Sequence, residues 1–496
     1  MNSVAINKII NIFLKNLTFN QTIIKNSFWL IAGKLISGIL RALLVIFSAR
    51  LLGTSEYGSF SLAMNFVLLF SFLPELGLTS ILTRELSKTE DKKERQIIFN
   101  NIFIISLILS FISYLLIFFL GQLFLKDELA KIILPILSLM LIFDIFREFS
   151  YAIYRSELKS ELQGIFHFLT NLLLFIGGLI SLYLFRKAIY LSWAYLITIT
   201  IGFIISNIFL IDYFKKFKLV LDYKKWIYYF NSSWPIAIAN ALYLLLLFID
   251  SIILGWYFPS NIVGIYTSSV KVNEFLIIFP TGISLALLPI FSKNTLDKEK
   301  LKTTLELGLR LTYILILPII FGGILLSENL INFIFGKEYS DSHYAFKILI
   351  PSLIATSIFM ILSQLLIALN KRKELLIYEF FIFLINLIGN IILIPSLSFM
   401  GAAYMTTISN FLGLILIILI TNKYLNFDIY FGIKKPFLAS VLMSLIILAL
   451  NKINFLLAII VGSILYFIVL ILIREELIIK IINNIITIIK FKKYDN

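Results

Sequence analysis

Apolar segments of membrane length recur along almost the whole chain. A helix needs about 20 mainly apolar residues to cross the hydrocarbon core of a bilayer. We place such segments at 28–49, 57–80, 97–120, 132–154, 162–184, 188–211, 232–254, 262–288, 303–326, 345–369, 375–395, 401–421, 437–450 and 455–473. Only 14% of the residues are charged, against about 25% in a typical soluble domain. The sequence therefore predicts an all-α membrane protein with about fourteen transmembrane helices.

An internal repeat divides twelve of these segments into two halves. A polar turn ending at Gly58 separates the first two segments, and a similar turn ending at Gly264 separates the seventh and eighth. Six spans per half give both halves the same orientation, so we expect two pseudo-symmetric lobes related by an axis along the membrane normal. We divide the chain into a cytoplasmic interfacial segment (1–27), an N-lobe (28–211), a cytoplasmic linker (212–226), a C-lobe (227–421), two further spans (422–473) and a cytoplasmic amphipathic tail (474–496).

The distribution of lysine and arginine predicts the orientation of the chain. Most of the 43 Lys and Arg residues lie in the two terminal segments and in one alternate set of loops. The opposite loops hold Arg50, Lys126, Lys131, Arg186, Lys187, Lys337 and Lys452. Positive residues favour the cytoplasmic side, so both termini should be cytoplasmic. Ser260 should then be external and Lys218 cytoplasmic, and the net charge of +15 reflects topology and anionic lipid more than nucleic acid.

Composition and loop length exclude several other classes of function. The chain has no cysteine and only two histidines, His167 and His343, which excludes a disulfide framework and a Cys- or His-rich metal centre. No phosphate-binding glycine loop is present, and every loop is too short for an extramembrane catalytic domain. We expect a transporter and not an enzyme, with no cofactor and no metal.

Three short sequences carry a family resemblance. They are LLGTSEYGSFSLA at 51–63, PELGLTSILTREL at 74–86 and the helix IDSIILG at 249–255. They resemble the polysaccharide and O-antigen flippases of the exporter superfamily that also contains lipid II flippases and multidrug exporters of the MATE type. The resemblance covers the chain to about residue 425. It implies a flippase that moves a polyprenyl-diphosphate-linked oligosaccharide to the outer leaflet of the cell membrane, with glycosyltransferases or a polymerase of the same pathway as further partners.

Cations inside the predicted spans are the first candidates for substrate binding. A charged side chain at membrane depth is costly, and it therefore marks a functional site by default. Lys34 and Arg41 are seven residues apart and share one face of the first span, while Lys271 and Arg310 lie in the eighth and ninth spans. Each could bind a phosphate group, and arginine does so with two parallel hydrogen bonds. Snorkelling to the interface is the alternative for Lys34 and Arg310.

Carboxylates in the spans suggest either ion coupling or charge pairing. Asp250 and Glu274 are candidates for a coupling cation, or for a salt bridge with Lys271. The candidates in the first lobe are Glu75, Asp144, Arg147 and Glu148. The last three have the i,i+3 and i,i+4 spacing of a self-neutralising helical cluster. Glu75 shares the depth of Lys34 and can pair with it, and His167 is expected to contact a neighbouring helix through hydrogen bonds.

Three functions fit these features. The first is the flippase described above, whose isoprenoid substrate tail would follow a groove beside the last two spans. The second is a cation-coupled small-molecule exporter of the MATE type, which typically has twelve spans. The third is a scaffold of a glycan assembly complex that does not itself transport.

Overall fold

The computed structural model of the protein describes residues 19–216, 222–451 and 453–480. Every regular element in these ranges is helical. The helices are α1 (Phe19–Leu69), α2 (Phe72–Glu75), α3 (Leu78–Leu86), α4 (Lys92–Phe124), α5 (Glu128–Ser156), α6 (Ser160–Phe185), α7 (Ala188–Asn207), α8 (Ile211–Lys215), α9 (Tyr223–Tyr257), α10 (Ser260–Leu276), α11 (Ile278–Lys293), α12 (Lys298–Phe335), α13 (Ser342–Leu349), α14 (Ser352–Ala368), α15 (Arg372–Asn422), α16 (Lys434–Asn451) and α17 (Phe455–Leu472). The all-helical fold class is confirmed.

Several predicted features lie outside the described residues. They are most of the interfacial segment 1–27, the tail from 481 onward, and positions Lys218 and Lys452. These features stay predictions.

Two long helices are broken near their centres. In α1 the break is at Gly53, whose φ of 74° suits glycine, and in α15 it is at Ser398, whose φ is 55°. The polar turn predicted before Gly58 therefore has a single non-helical residue, Gly53, because residues 54–58 are already helical. A straight helix of 51 residues would be about 77 Å long, so each broken helix is long enough to cross a bilayer twice.

Eleven helical segments of the described chain are long and apolar enough to cross a membrane, or twelve if the bent pair α13 and α14 counts as one span. Counting the two broken segments as two crossings each would give fourteen. That exact number stays a prediction.

Polar side chains cap the N-termini of five helices. The carboxylates of Asp91, Asp127 and Asp297 accept hydrogen bonds from backbone N–H groups in the first turns of α4, α5 and α12. Asp222 and Asn454 cap α9 and α17 in the same way. Such caps satisfy donors that a helix start leaves without partners. A polar residue before an apolar run therefore marks the start of each of these five helices.

The chain forms two compact units. The N-terminal unit comprises residues 1–264 and the C-terminal unit residues 265–496. This division lies after the linker proposed at 212–226, because α9 packs against α1 and against α2, α3 and α4. The lobe boundaries derived from the repeat stay a prediction.

The last two helices pack onto α12 in the C-terminal unit. Met443 and Ile447 of α16 and Tyr466 of α17 form a buried cluster with Ile314 and Leu326 of α12. The Tyr466 hydroxyl also donates to the Ile314 carbonyl at 2.7 Å. The segments predicted at 437–450 and 455–473 are thus helices of the C-terminal unit.

The exposure of residues near Ser260 decides which position is best labelled to test the predicted topology. Ser260 is only 7% exposed and would label poorly, whereas Tyr257 in the same turn is 52% exposed. In this cysteine-free chain we expect a membrane-impermeant maleimide to label Tyr257→Cys in intact cells. Lys224→Cys, on the exposed start of α9, should label only after permeabilisation. The reverse pattern would overturn the orientation drawn from the positive charges.

Candidate functional site

Polar side chains join α1 to α6 inside the N-terminal unit. The Ser37 hydroxyl lies 2.9 Å from Nδ1 of His167, and Nε of Arg41 donates to Oδ1 of Asn171 at 2.5 Å. Ser37 and Arg41 are one helical turn apart on α1, and their partners His167 and Asn171 are one turn apart on α6. One face of α1 therefore packs against one face of α6. The prediction that His167 is a helix-contact residue is confirmed. Arg41 is exposed, yet its Nε contact with Asn171 fixes the direction of the side chain.

Ring and cation–π contacts connect His167 to α5. The ring of Tyr151 lies 6.2 Å from that of His167, and Cζ of Arg147 lies 5.4 Å from the Tyr151 ring centroid. Arg147 is 1% exposed and pairs with Asp144. We call this series the N-terminal polar track; it consists of Arg41, Asn171, His167, Tyr151, Arg147 and Asp144. It brings together residues from three helices in an otherwise apolar bundle.

Asp144 and Arg147 form the i,i+3 ion pair that their spacing predicts, and the choice between charge pairing and ion coupling as their role stays a prediction. Nε and Nη1 of Arg147 have no hydrogen-bond partner within the described ranges, although both are buried. Glu148 lies 3.9 Å from Arg155. The N-terminal polar track therefore contains buried guanidinium nitrogens that have no hydrogen-bond partner among the described residues.

Glu75 and Lys34 do not form an ion pair in the described structure. Glu75 instead accepts a hydrogen bond from Thr79 at 2.9 Å, and Lys34 is exposed. Two exposed cations, Lys34 and Arg41, thus lie on the same helix, α1.

Lys271 and Glu274 form an ion pair on α10. The distance between Nζ and Oε2 is 2.7 Å, and both side chains are about one-third exposed. The two residues are thus paired in this structure, and the choice between charge pairing and ion coupling as their role stays a prediction. Asp250, on α9 in the N-terminal unit, is 4% exposed.

Arg310 is bound by two carboxylates that follow α17. It donates to Glu475 at 2.5 Å and to Glu476 at 2.8 Å, and Glu475 is fully buried. The guanidinium lies 5.9 Å from the ring of Phe431 in the segment that precedes α16. Its hydrogen bond lowers the pKa of the Glu476 carboxyl below the ordinary value. Substrate binding by Arg310 stays a prediction, and the observed contacts favour an anchor for the ends of α16 and α17.

Neighbouring contacts strengthen this anchor. Glu306 accepts from the backbone N–H of Asp428, and the Tyr313 hydroxyl donates to the Ile429 carbonyl. Lys435 at the start of α16 donates to the Arg474 carbonyl at 2.7 Å. The loop before α16 and the residues after α17 are thus both attached to α12 or to each other.

We predict that Arg310→Gln destabilises the protein. The change leaves buried Glu475 without its charged partner, which typically costs about 3–5 kcal/mol. The thermal midpoint and membrane abundance should fall, and Arg310→Met with Glu475→Gln should restore part of the loss. Lys300→Gln, at a lysine that is 68% exposed on the same helix, is the control. Normal stability of Arg310→Gln with lost transport would favour substrate binding instead.

The two turns that the sequence repeat relates lie against each other within the N-terminal unit. A Cβ atom added at Gly58 would be 1.8 Å from the Ser260 carbonyl oxygen, and one at Gly264 would be 2.2 Å from the Thr54 carbonyl oxygen. The hydroxyls of Ser55 and Ser260 are 3.4 Å apart. Only glycine permits such close backbone approach. We call this contact the paired turn.

The other end of α9 also contacts the N-terminal helices. The indole of Trp226 donates to Asn101 of α4 at 2.9 Å, and the Tyr228 hydroxyl is 3.3 Å from Glu85 of α3. The start of α9 is therefore attached to α3 and α4 within this unit. No local pattern in the sequence marks Asn171, Trp226 or Glu475, because each acts through a partner distant in the chain.

No group of three metal-ligating His, Asp or Glu side chains lies together in the ranges that the structure describes. The candidate site is therefore made of cations, amides and paired carboxylates.

Comparison with known proteins identifies the family. The family model for "Polysaccharide biosynthesis protein" matches residues 23–295, more than half of the chain, and the MatE family model matches residues 235–392. The capsular polysaccharide biosynthesis protein CapF of Staphylococcus aureus is 26% identical over 406 residues, which cover 79% of this chain and 97% of CapF.

Two further likenesses differ in extent. The protein named "Probable low-salt glycan biosynthesis flippase Agl15" of Haloferax volcanii is 25% identical over 162 residues, 32% of this chain and 34% of that protein. The solved structure of the lipid II flippase MurJ in its inward closed conformation matches with a TM-score of 0.76 at 19% identity, covering 90% of this chain and 99% of MurJ. The likeness to MurJ shows the fold of this chain. The chain belongs to the polysaccharide biosynthesis family of membrane flippases in the superfamily that also contains the MATE exporters.

Proposed function

We propose that this protein moves a polyprenyl-diphosphate-linked oligosaccharide from the cytoplasmic to the outer leaflet of the cell membrane. The observation that carries the proposal is the exposed guanidinium of Arg41, which Asn171 holds at one end of a polar track in an apolar bundle. A diphosphate is polyanionic, and guanidinium groups bind phosphate oxygens through charge-assisted hydrogen bonds. The names of CapF and Agl15 support a glycan pathway.

In this mechanism, Lys34 and Arg41 bind the diphosphate. Lys34 has no carboxylate partner in the described ranges, and Nε of Arg41 contacts a neutral amide, so both retain their charge for the substrate. Lys271 can contribute only in a state in which its ion pair with Glu274 opens. The sugar follows the headgroup, and the isoprenoid tail remains in lipid beside α16 and α17. The apolar outer faces of these helices suit that role, with Leu445 and Ile460 about 60% exposed.

Alternating access then requires the paired turn to separate in one state of the cycle. In the described residues its two sides meet through close backbone approach and through the contact between the neutral hydroxyls of Ser55 and Ser260. Few strong bonds must therefore break when it opens. Both termini remain cytoplasmic throughout, and enzymes that build or polymerise the glycan act before and after this step.

Complementation tests this function. Expression in a cell whose own polysaccharide flippase has been deleted should restore surface glycan, while lipid-linked precursor should no longer accumulate on the cytoplasmic side. Persistent accumulation at normal protein abundance would contradict the proposal.

The match of residues 235–392 to the MatE model favours a second candidate, export of a small molecule coupled to a cation. Efflux of a cationic dye from cells, driven by a sodium or proton gradient, would support that function. A scaffold without transport would give neither result but would retain the pathway enzymes after purification.

A further inference from the structure

A basic pocket opens in the C-terminal unit where three helix ends meet. The cavity has a volume of about 270 Å³ and is lined by Lys298, Lys371, Lys423, Tyr424, Thr295, Leu301 and Leu369. The three lysines come from three positions: the start of α12, the residue before α15 and the residue after α15. Because α15 is broken at Ser398, its two ends lie on one side of the membrane, which the positive charges assign to the cytoplasm.

The ammonium groups in this pocket are not neutralised by paired carboxylates. Lys298 and Lys423 are exposed and form no ion pair in the part of the chain that the structure describes. Lys371 is half-buried, and its Nζ lies 4.5 Å from the ring centroid of Tyr424. Three positive charges therefore converge on one cavity.

A hydrogen bond fixes the aromatic side of the pocket. Glu374 accepts from the Tyr424 hydroxyl at 2.6 Å. That bond holds the tyrosine ring beside Lys371, so the ammonium of Lys371 lies near an aromatic ring. Leu301 and Leu369 supply an apolar surface beside the charges.

We propose that this pocket binds a phosphate group, such as the phosphodiester of an anionic lipid headgroup. Lysine ammonium groups bind phosphate as point charges, and basic pockets between helices on the cytoplasmic side attract anionic headgroups. The volume holds a phosphate and its hydration water, because one water occupies about 30 Å³. The site is separate from Arg41 and does not depend on the transported substrate.

The test uses the purified full-length protein in a neutral detergent. Its thermal midpoint is measured during titration with dihexanoyl phosphatidylglycerol and, separately, with sodium phosphate. A ligand that binds the folded state raises the midpoint. We expect the triple variant Lys298→Gln, Lys371→Gln and Lys423→Gln to need at least about tenfold more of the same ligand. The control Lys92→Gln, Lys93→Gln and Lys293→Gln removes three exposed charges outside the pocket and should respond as the wild type does.

The two ligands distinguish the source of the phosphate. A response to phosphatidylglycerol at lower concentration than to inorganic phosphate identifies a lipid, and equal responses identify a free anion; either supports the site. If the triple variant does not fold, the single exposed change Lys423→Glu replaces it. An unchanged response in the variants, or no response of the wild type to either ligand, would overturn the proposal.

Discussion

Arg41→Gln is expected to lower glycan export about 10- to 100-fold while leaving membrane abundance unchanged. Hydrogen bonds to charged groups typically contribute about 1.5–3 kcal/mol, and glutamine cannot supply the charge. The residue is exposed and its described contact is with a neutral amide, so its loss leaves no buried carboxylate behind. Export of surface glycan and immunoblotting of membranes measure the two quantities.

The conservative change separates charge from geometry. Arg41→Lys should export at an intermediate rate, because an ammonium cannot reproduce the planar fork of the guanidinium. Arg84→Gln is the matched control, since Arg84 is 46% exposed and pairs with its neighbour Glu85. Full export by Arg41→Gln at normal abundance would exclude Arg41 from substrate binding.

Gly58→Ala is expected to reduce transport to background. The added Cβ would be 1.8 Å from a backbone oxygen of Ser260, and no side-chain rotation relieves a clash with backbone. The paired turn would then be unable to close. Gly264→Ala should act in the same way, because its Cβ would be 2.2 Å from the Thr54 oxygen.

Cross-linking measures closure of the paired turn directly. Ser55→Cys with Ser260→Cys should form a disulfide on mild oxidation, since the two hydroxyl oxygens are 3.4 Å apart. Adding Gly58→Ala should abolish the cross-link. Adding Gly282→Ala should not, because a Cβ at Gly282 meets nothing within 4 Å. An equal yield of disulfide in all three proteins would show that the glycine is not required for the contact.

Much of the fold follows from local features of the sequence. The ~20-residue apolar segments and the paired charges at i,i+3 act within one helix, so their spacing alone predicts them. Asp144 with Arg147 and Lys271 with Glu274 are examples. The repeat likewise pointed to Gly58 and Gly264, which lie together in the structure.

The remaining features depend on contacts between distant parts of the chain. Arg310 looked like a substrate ligand because its partner Glu475 lies beyond the last span, 165 residues away. Lys34 and Glu75 share a depth in the membrane, yet depth does not determine which faces of two helices meet. The division into compact units after residue 264 also depends on such contacts, since α9 packs on the N-terminal helices through residues such as Trp226. The lobe boundaries derived from the repeat stay a prediction.

Leaflet transfer in vesicles tests the central proposal most directly. The purified protein is reconstituted with a fluorescent polyprenyl-diphosphate oligosaccharide, and the label that remains accessible to an impermeant quencher is followed over time. We predict that wild-type protein makes the headgroup cross the bilayer and that Arg41→Gln slows this crossing to near the rate of protein-free vesicles. Wild-type transfer no faster than in protein-free vesicles, with uptake of a cationic dye in the same preparation, would contradict a lipid-linked oligosaccharide flippase.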